Sequence, residues 1–298
     1  MQYRYPLILL LVTVVWGITF PVLKVATSVL SGVEITTLRF CIAAVCLLPF
    51  ARGIPTVAWR DGFCLGALAL FSMAAQAYGL QFIASNRSAF LTSLNVLMVP
   101  LLGLLLGGRP SWLIFVAAVL ACVGIGLMSY EGEAHLWADM ATLLAALAYA
   151  AYTMGMSARA RWHRAVQLAC AQVCCMAAMG IVWMWIDSGP ARVLALPGVI
   201  NLEVLLGLLF LGALASAATF FLQALAQTHV SAEQAAIIYA MEPVFAALFG
   251  WIYLAEVMTP LAQVGALIVV FAVVLSQQPD ATKAGDADAL LSACPPQK

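Results

Sequence analysis

Ser231-Ala-Glu-Gln-Ala-Ala-Ile-Ile-Tyr-Ala-Met-Glu-Pro-Val-Phe-Ala-Ala-Leu-Phe-Gly250 is a degenerate second copy of Ser88-Ala-Phe-Leu-Thr-Ser-Leu-Asn-Val-Leu-Met-Val-Pro-Leu-Leu-Gly-Leu-Leu-Leu-Gly107, 143 positions earlier. Ser88-Ala89 falls on Ser231-Ala232, Met98 on Met241, Pro100 on Pro243 and Gly107 on Gly250. Gly103 falls on Ala246, so both copies keep small residues four apart. Outward from this block, Ser72 lies opposite Ser216 at nearly the same offset. A shift of 133 sets Trp16 over Tyr149 and Arg39 over Gln172. The repeating unit holds five apolar stretches, an odd number, so the second copy must enter a membrane from the opposite side. Inverted repeats of this kind build alternating-access carriers, with the site near the midplane between the copies.

That the stretches cross a membrane follows from composition. Of 298 residues, 65% are hydrophobic and 9% charged, with a mean hydropathy of +1.04. A soluble domain carries about 25% charged residues, so a water-soluble surface is excluded. Barrel strands alternate and average out only mildly apolar, which leaves helices. Spans of roughly 20 residues are expected at 6–27, 33–51, 62–83, 88–107, 111–130, 137–157, 165–186, 203–226, 232–253 and 260–277. The fold class is therefore an all-α membrane protein with ten transmembrane helices in two inverted five-helix repeats. The first repeat covers 1–130 and the second 137–277; the polar remainder, 278–298, reads as a disordered cytoplasmic tail.

Lys and Arg set the orientation. With the N-terminus inside, the cytoplasmic segments hold Arg4, Arg52, Arg60, Arg109, Arg159, Arg161, Arg164, Lys283 and Lys298. The outer ends hold only Lys24, Arg87 and Arg192. Both termini are expected in the cytoplasm. The net charge of zero gives no reason to expect nucleic acid. Seven of the 8 cysteines fall in apolar runs and no CxxC occurs, so they read as small buried hydrophobes.

Ionised groups inside a span cost about 2.5–3.5 kcal/mol each and mark function or a structural pin. Arg39 lies in the outer third of its span and Glu242 is central, which argues for separation rather than a fixed ion pair. Glu242 can carry a proton, bind an amine or cap a helix broken at Pro243. Polar stripes at helical spacing run through four spans: Ser216, Thr219, Gln223 and Gln227; Ser88, Thr92 and Asn95; Ser72, Gln76 and Gly79; Thr142, Tyr149 and Thr153. Such stripes glue helices together or line a wet cavity. The cavity reading makes Trp16, Phe20, Gln76, Asn95, Tyr149, Thr219, Gln223 and Tyr239 the substrate-binding candidates. Glu242, Arg39, Pro100 and Pro243 are the coupling or gating candidates, and Pro21 is a third proline within a span. No P-loop lysine signature, HExxH or GxSxG occurs, so neither catalysis nor a metal or cofactor is expected.

Trp16-Gly17-Ile-Thr-Phe20-Pro21, Leu38-Arg39-Phe40, Met241-Glu242-Pro243 through Gly250, Glu256 and Thr259-Pro260-Leu-Ala-Gln-Val-Gly265 resemble the motifs of EamA-type members of the drug/metabolite transporter superfamily. The resemblance spans all but the tail. It implies a ten-helix inverted-repeat carrier of the bacterial inner membrane that moves small metabolites, often exporting amino acids or related compounds. The partners it implies are a small-molecule substrate and the lipid bilayer, with a homodimer left open. One departure concerns Glu242, whose counterpart in the first copy is Val99. The alternative class is a non-transporting membrane protein, either a lipid-modifying enzyme or a structural partner.

Overall fold

In hydrocarbon every backbone N–H and C=O must find its partner within the segment, and a helix does this. The structure, a computed structural model, describes residues 3–80, 82, 91–107, 111–128, 136–254 and 259–276, without the side chains of Phe20, Pro21, Lys24, Ala77, Leu80, Gly250, Tyr253, Leu254 and Ala262. Those residues are helical throughout, with short turns between. The expectations for Arg87, Ser88, Arg109, Glu256 and the tail lie outside the described residues.

The helices are α1 (Arg4–Ala26), α2 (Gly32–Leu47), α3 (Thr56–Leu80), α4 (Asn95–Leu105), α5 (Trp112–Met128), α6 (Leu136–Ala160) and α7 (Ala165–Asp187). A short α8 (Gly189–Val199) follows, then α9 (Leu202–Ala226), α10 (Ala232–Tyr239), α11 (Glu242–Leu254) and α12 (Pro260–Ser276). Among the described residues six helical stretches are long and apolar enough to cross a membrane: Gly32–Phe50, Thr56–Gln76, Leu136–Ala160, Ala165–Asp187, Leu202–Ala226 and Ala232–Phe249. Shorter apolar helices cover Arg4–Thr19, Leu91–Leu105, Trp112–Leu127 and Gln263–Ser276.

The distribution of side chains is that of a protein dissolved in lipid. Leu105, Ile186, Leu267, Phe271 and Val274 are exposed, while Thr13, Thr37, Ser72, Thr142, Gln172, Ser216 and Gln223 are buried. In water such an apolar surface would be an aggregation hazard. Trp112, Trp137 and Trp162 are exposed at helix ends, the place of an interfacial aromatic belt.

Small residues set the closest crossings, as expected where lipid offers no hydrophobic drive between helices. A Cβ on Gly17 of α1 would lie 2.5 Å from Phe245 Cβ of α11, and one on Gly124 of α5 2.6 Å from the Gly265 carbonyl of α12. Gly62 and Gly66 let α3 meet α7 at Ala171 and Gln172, and Gly212 lets α9 meet α2 at Ile42. Buried hydroxyls bind across other seams. Thr37 donates to Gly180 O of α7 at 2.9 Å, and Ser72 to Ala145 O of α6 at 2.8 Å.

Helix starts carry the caps that their sequences offer. Ser31 and Glu34 form a reciprocal capping box on α2, and Ser231 accepts from Gln234 N on α10, satisfying donors the helix leaves free. Glu34 is nearly fully buried and receives Arg192 of α8 at 2.8 Å; Arg192 also donates to Val29 O at 2.8 Å. α8 is thereby clasped to the start of α2. At the other end of the bundle, buried Asp61 of α3 meets His163 at 2.8 Å and Arg159 at 3.6 Å.

Candidate functional site

The centre of the bundle is an aromatic and amide cluster built by α1, α6, α9 and α10. Trp16 of α1 donates from Nε1 to Thr219 Oγ1 of α9 at 3.3 Å. Its ring lies 5.4 Å from that of Tyr239 on α10, and Tyr239 lies 6.3 Å from Tyr149 on α6. Tyr149 stacks at a tilt on Tyr152, 5.5 Å away. Tyr152 donates to Gln223 Oε1 at 3.0 Å, and the hydroxyls of Tyr149 and Tyr239 also face the Gln223 amide. Gln223 is fully buried, and its Nε2, like the Tyr239 hydroxyl, has no hydrogen-bond partner among the described residues. Unpaired buried polar atoms cost about 1–3 kcal/mol each and are the groups a polar ligand satisfies.

Five of the eight binding candidates (Trp16, Tyr149, Thr219, Gln223 and Tyr239) therefore meet. Gln76 and Asn95 form a separate group, both reaching Thr92: Gln76 Nε2 donates to its hydroxyl and Asn95 Nδ2 to its carbonyl, each at 3.0 Å. The side chain of Phe20 lies outside the described residues, as does that of Pro21.

A π-helical segment, Phe210–Ala218, lies at the centre of α9. π-turns free carbonyls from the regular ladder and recur at functional sites. Arg39 occupies this one. Its Nε donates to Ser216 Oγ at 2.9 Å and its Nη2 to Ala215 O at 3.2 Å, while Ser216 donates to Leu211 O five residues back. Arg39 thus pins α2 to α9. Arg39 and Glu242 form no direct ion pair, yet they interact coulombically, and Glu242 also acts on Tyr149.

Glu242 opens α11, with Pro243 second, after the turn at Ala240-Met241 that ends α10. Proline suits the first turn of a helix, and a carboxylate there meets the positive end of the helix dipole. Pro100, by contrast, sits inside α4, whose backbone turns earlier, at Leu94.

Two contributors fall outside the site read from the sequence. Tyr152 follows Tyr149 by three residues and shares its face, which is the signal for it. Gln172, the counterpart of Arg39, is fully buried on α7 beside Tyr152, with both amide atoms unpartnered among the described residues. A cavity of about 550 Å³ lies elsewhere, between α3, α4 and α6; Tyr78, Met98, Trp137, Met140 and Leu144 among others line it, an almost wholly apolar set.

A lipid-facing apolar exterior around buried, unsatisfied amide and hydroxyl groups, among helices broken at mid-bundle, defines a multi-pass membrane transporter. The model of the EamA-like transporter family matches residues 4–130 and 136–277, and the chain belongs to that family. An uncharacterized transporter of Archaeoglobus fulgidus is 30% identical over 277 residues, covering 90% of this chain and 83% of its own. A solved crystal structure superposes with a TM-score of 0.75 at 16% identity, covering 93% of this chain and 98% of that one. That likeness speaks for the fold.

Proposed function

We propose that the protein is a secondary transporter of the bacterial inner membrane that exports amino acids or related small metabolites by alternating access. The observation that carries the reading is the Gln223 cluster, with an unpaired amide and an unpaired hydroxyl among aromatic rings and a cation and a carboxylate close by. Such a mix suits a zwitterion with a mostly apolar side group. Amides, hydroxyls and the two charges take its polar ends while the rings pack its body.

The architecture proposed is ten spans in two inverted repeats, 1–130 and 137–277, with both termini cytoplasmic. Helix packing supports it. Exchange α1 to α5 for α6, α7, α9, α10–α11 and α12, and the main packing partners map onto themselves. The pair α2–α9 becomes α7–α3, and α1–α11 becomes α6–α4; α2–α7, α4–α10 and α5–α12 each return themselves. Glu242 is the proposed coupling group, bearing a proton in one half of the cycle.

Uptake of labelled amino acids into inverted vesicles tests the function. Gln223→Leu and Tyr239→Phe are expected to lower flux at least tenfold while the folded protein stays in the membrane. Wild-type flux in both, across several amino acids, would sink the site. Glu242→Gln, assayed with and without a pH gradient, tests coupling: a variant that keeps its flux and its pH response leaves Glu242 as part of the helix break.

A further inference from the structure

Below the central cluster, α6 and α9 meet through side chains, polar ones beside the Tyr152–Phe220 ring contact, rather than through close backbone packing. Tyr152 donates to Gln223, and four residues on, Gln227 Nε2 donates to Ser157 Oγ at 3.1 Å and to Thr153 O at 3.3 Å. Gln227 is nearly fully buried, and its Oε1 has no partner among the described residues. None of the glycine-mediated close crossings described above lies on this seam.

The ends of the two helices are tied to different neighbours. Arg159 at the end of α6 and His163 just beyond it are held by Asp61 of α3. His229, just beyond α9, stacks on Tyr5 of α1, with ring centroids 3.8 Å apart and planes 5° from parallel. At these ends one side of the seam is tied to α3 and the other to α1. Among the described residues neutral hydrogen bonds and the Tyr152–Phe220 ring contact, centroids 6.4 Å apart, join them, and the hydrogen bonds are individually weak enough for the polar groups of a permeating molecule to replace.

We propose that the α6–α9 seam, latched by Tyr152–Gln223 and Gln227–Ser157, is the cytoplasmic gate of the transport pathway. The gate rests on the transporter reading and the topology given above. When it opens, the α9–α1 side parts from the α6–α3 side. Substrate then passes along Gln223 and Gln227, whose unpartnered Nε2 and Oε1 offer it a donor and an acceptor.

Ser157→Cys and Gln227→Cys, combined in the full chain, test the gate by cross-linking with a short, reducible bis-methanethiosulfonate. Wild type and each single variant pass through the same treatment to account for the native thiols. Labelled leucine flux into inverted vesicles is expected to fall at least tenfold in the cross-linked pair and to return on reduction. A cross-linked protein that transports at its untreated rate overturns the gate, as does a pair that never cross-links.

A second measurement needs no substrate. Gln227→Cys is labelled by a membrane-impermeant maleimide applied to each face in turn. Labelling from the cytoplasmic face is expected to be slow, and at least tenfold faster once Tyr152→Phe removes the Tyr152–Gln223 latch that remains in this variant. A rate indifferent to this latch overturns the gate. If leucine does not move in wild type while labelling follows the latch, the substrate reading fails and the gate stands. Labelling from the other face alone refutes the topology instead.

Discussion

Arg39 illustrates how a single residue joins structure to function here. A buried guanidinium survives only if its donors and its charge are both answered. Ser216 and Ala215 answer the donors, and Glu242 answers part of the charge. Arg39→Leu leaves the Ala215 carbonyl without this donor and Glu242 without its opposing charge. It is expected to destabilise the protein by about 1–3 kcal/mol, the loss typical of leaving buried polar groups without their partner. Adding Glu242→Gln should recover part of that loss, because a neutral amide there needs no counter-charge. Heat denaturation of the purified protein in detergent, run as a four-protein cycle, measures the coupling. Strict additivity would mean that the two charges do not communicate. The sequence made both residues visible as ionised groups in apolar stretches, but not their coupling, because that depends on how helices distant in the chain pack.

Among elements, the α1–α11 and α5–α12 crossings depend on the missing side chains of Gly17 and Gly124. Their hypothetical Cβ atoms would meet backbone at 2.9 Å and 2.6 Å, and backbone cannot step aside as a flexible side-chain tip can. Gly17→Ala and Gly124→Ala are each expected to cost about 1–3 kcal/mol, the usual penalty of overpacking. Gly32→Ala, which meets nothing within 4 Å, should leave the denaturation midpoint in detergent nearly unchanged and serves as the control. Apolar runs located the elements to within a few residues because hydrophobicity over some twenty positions is a strong signal. They missed α8, which lies between two of the expected spans and holds Pro190 in its first turn, a place that suits proline. They also missed the π-segment of α9, since one hydrogen-bond shift leaves composition untouched. The Asp61–His163 clasp was equally hidden, because it joins residues 102 positions apart.

At the scale of the whole molecule, the repeat and the orientation are one question with two halves. If the copies are inverted, the turn after α2 and its counterpart after α7 lie on opposite sides of the membrane. The first holds Arg52-Gly53 and the second Ser188-Gly189-Pro190. Lys and Arg resist translocation, so Arg52 is expected inside, together with Arg159, Arg161 and Arg164 between α6 and α7. The segment after α7 carries only Arg192, whose charge Glu34 answers, and is expected outside. Alkaline phosphatase, active only in the periplasm, reads each position when fused after Arg52, Arg161, Ser188 and Lys298. Activity is expected after Ser188 alone. Activity after both Arg52 and Ser188 would put the two turns on one side, making the repeats parallel and removing the exchange of packing partners as support for alternating access. An active fusion after Lys298 with an inactive one after Ser188 would keep the inversion and reverse the orientation, turning the gate between α6 and α9 toward the periplasm.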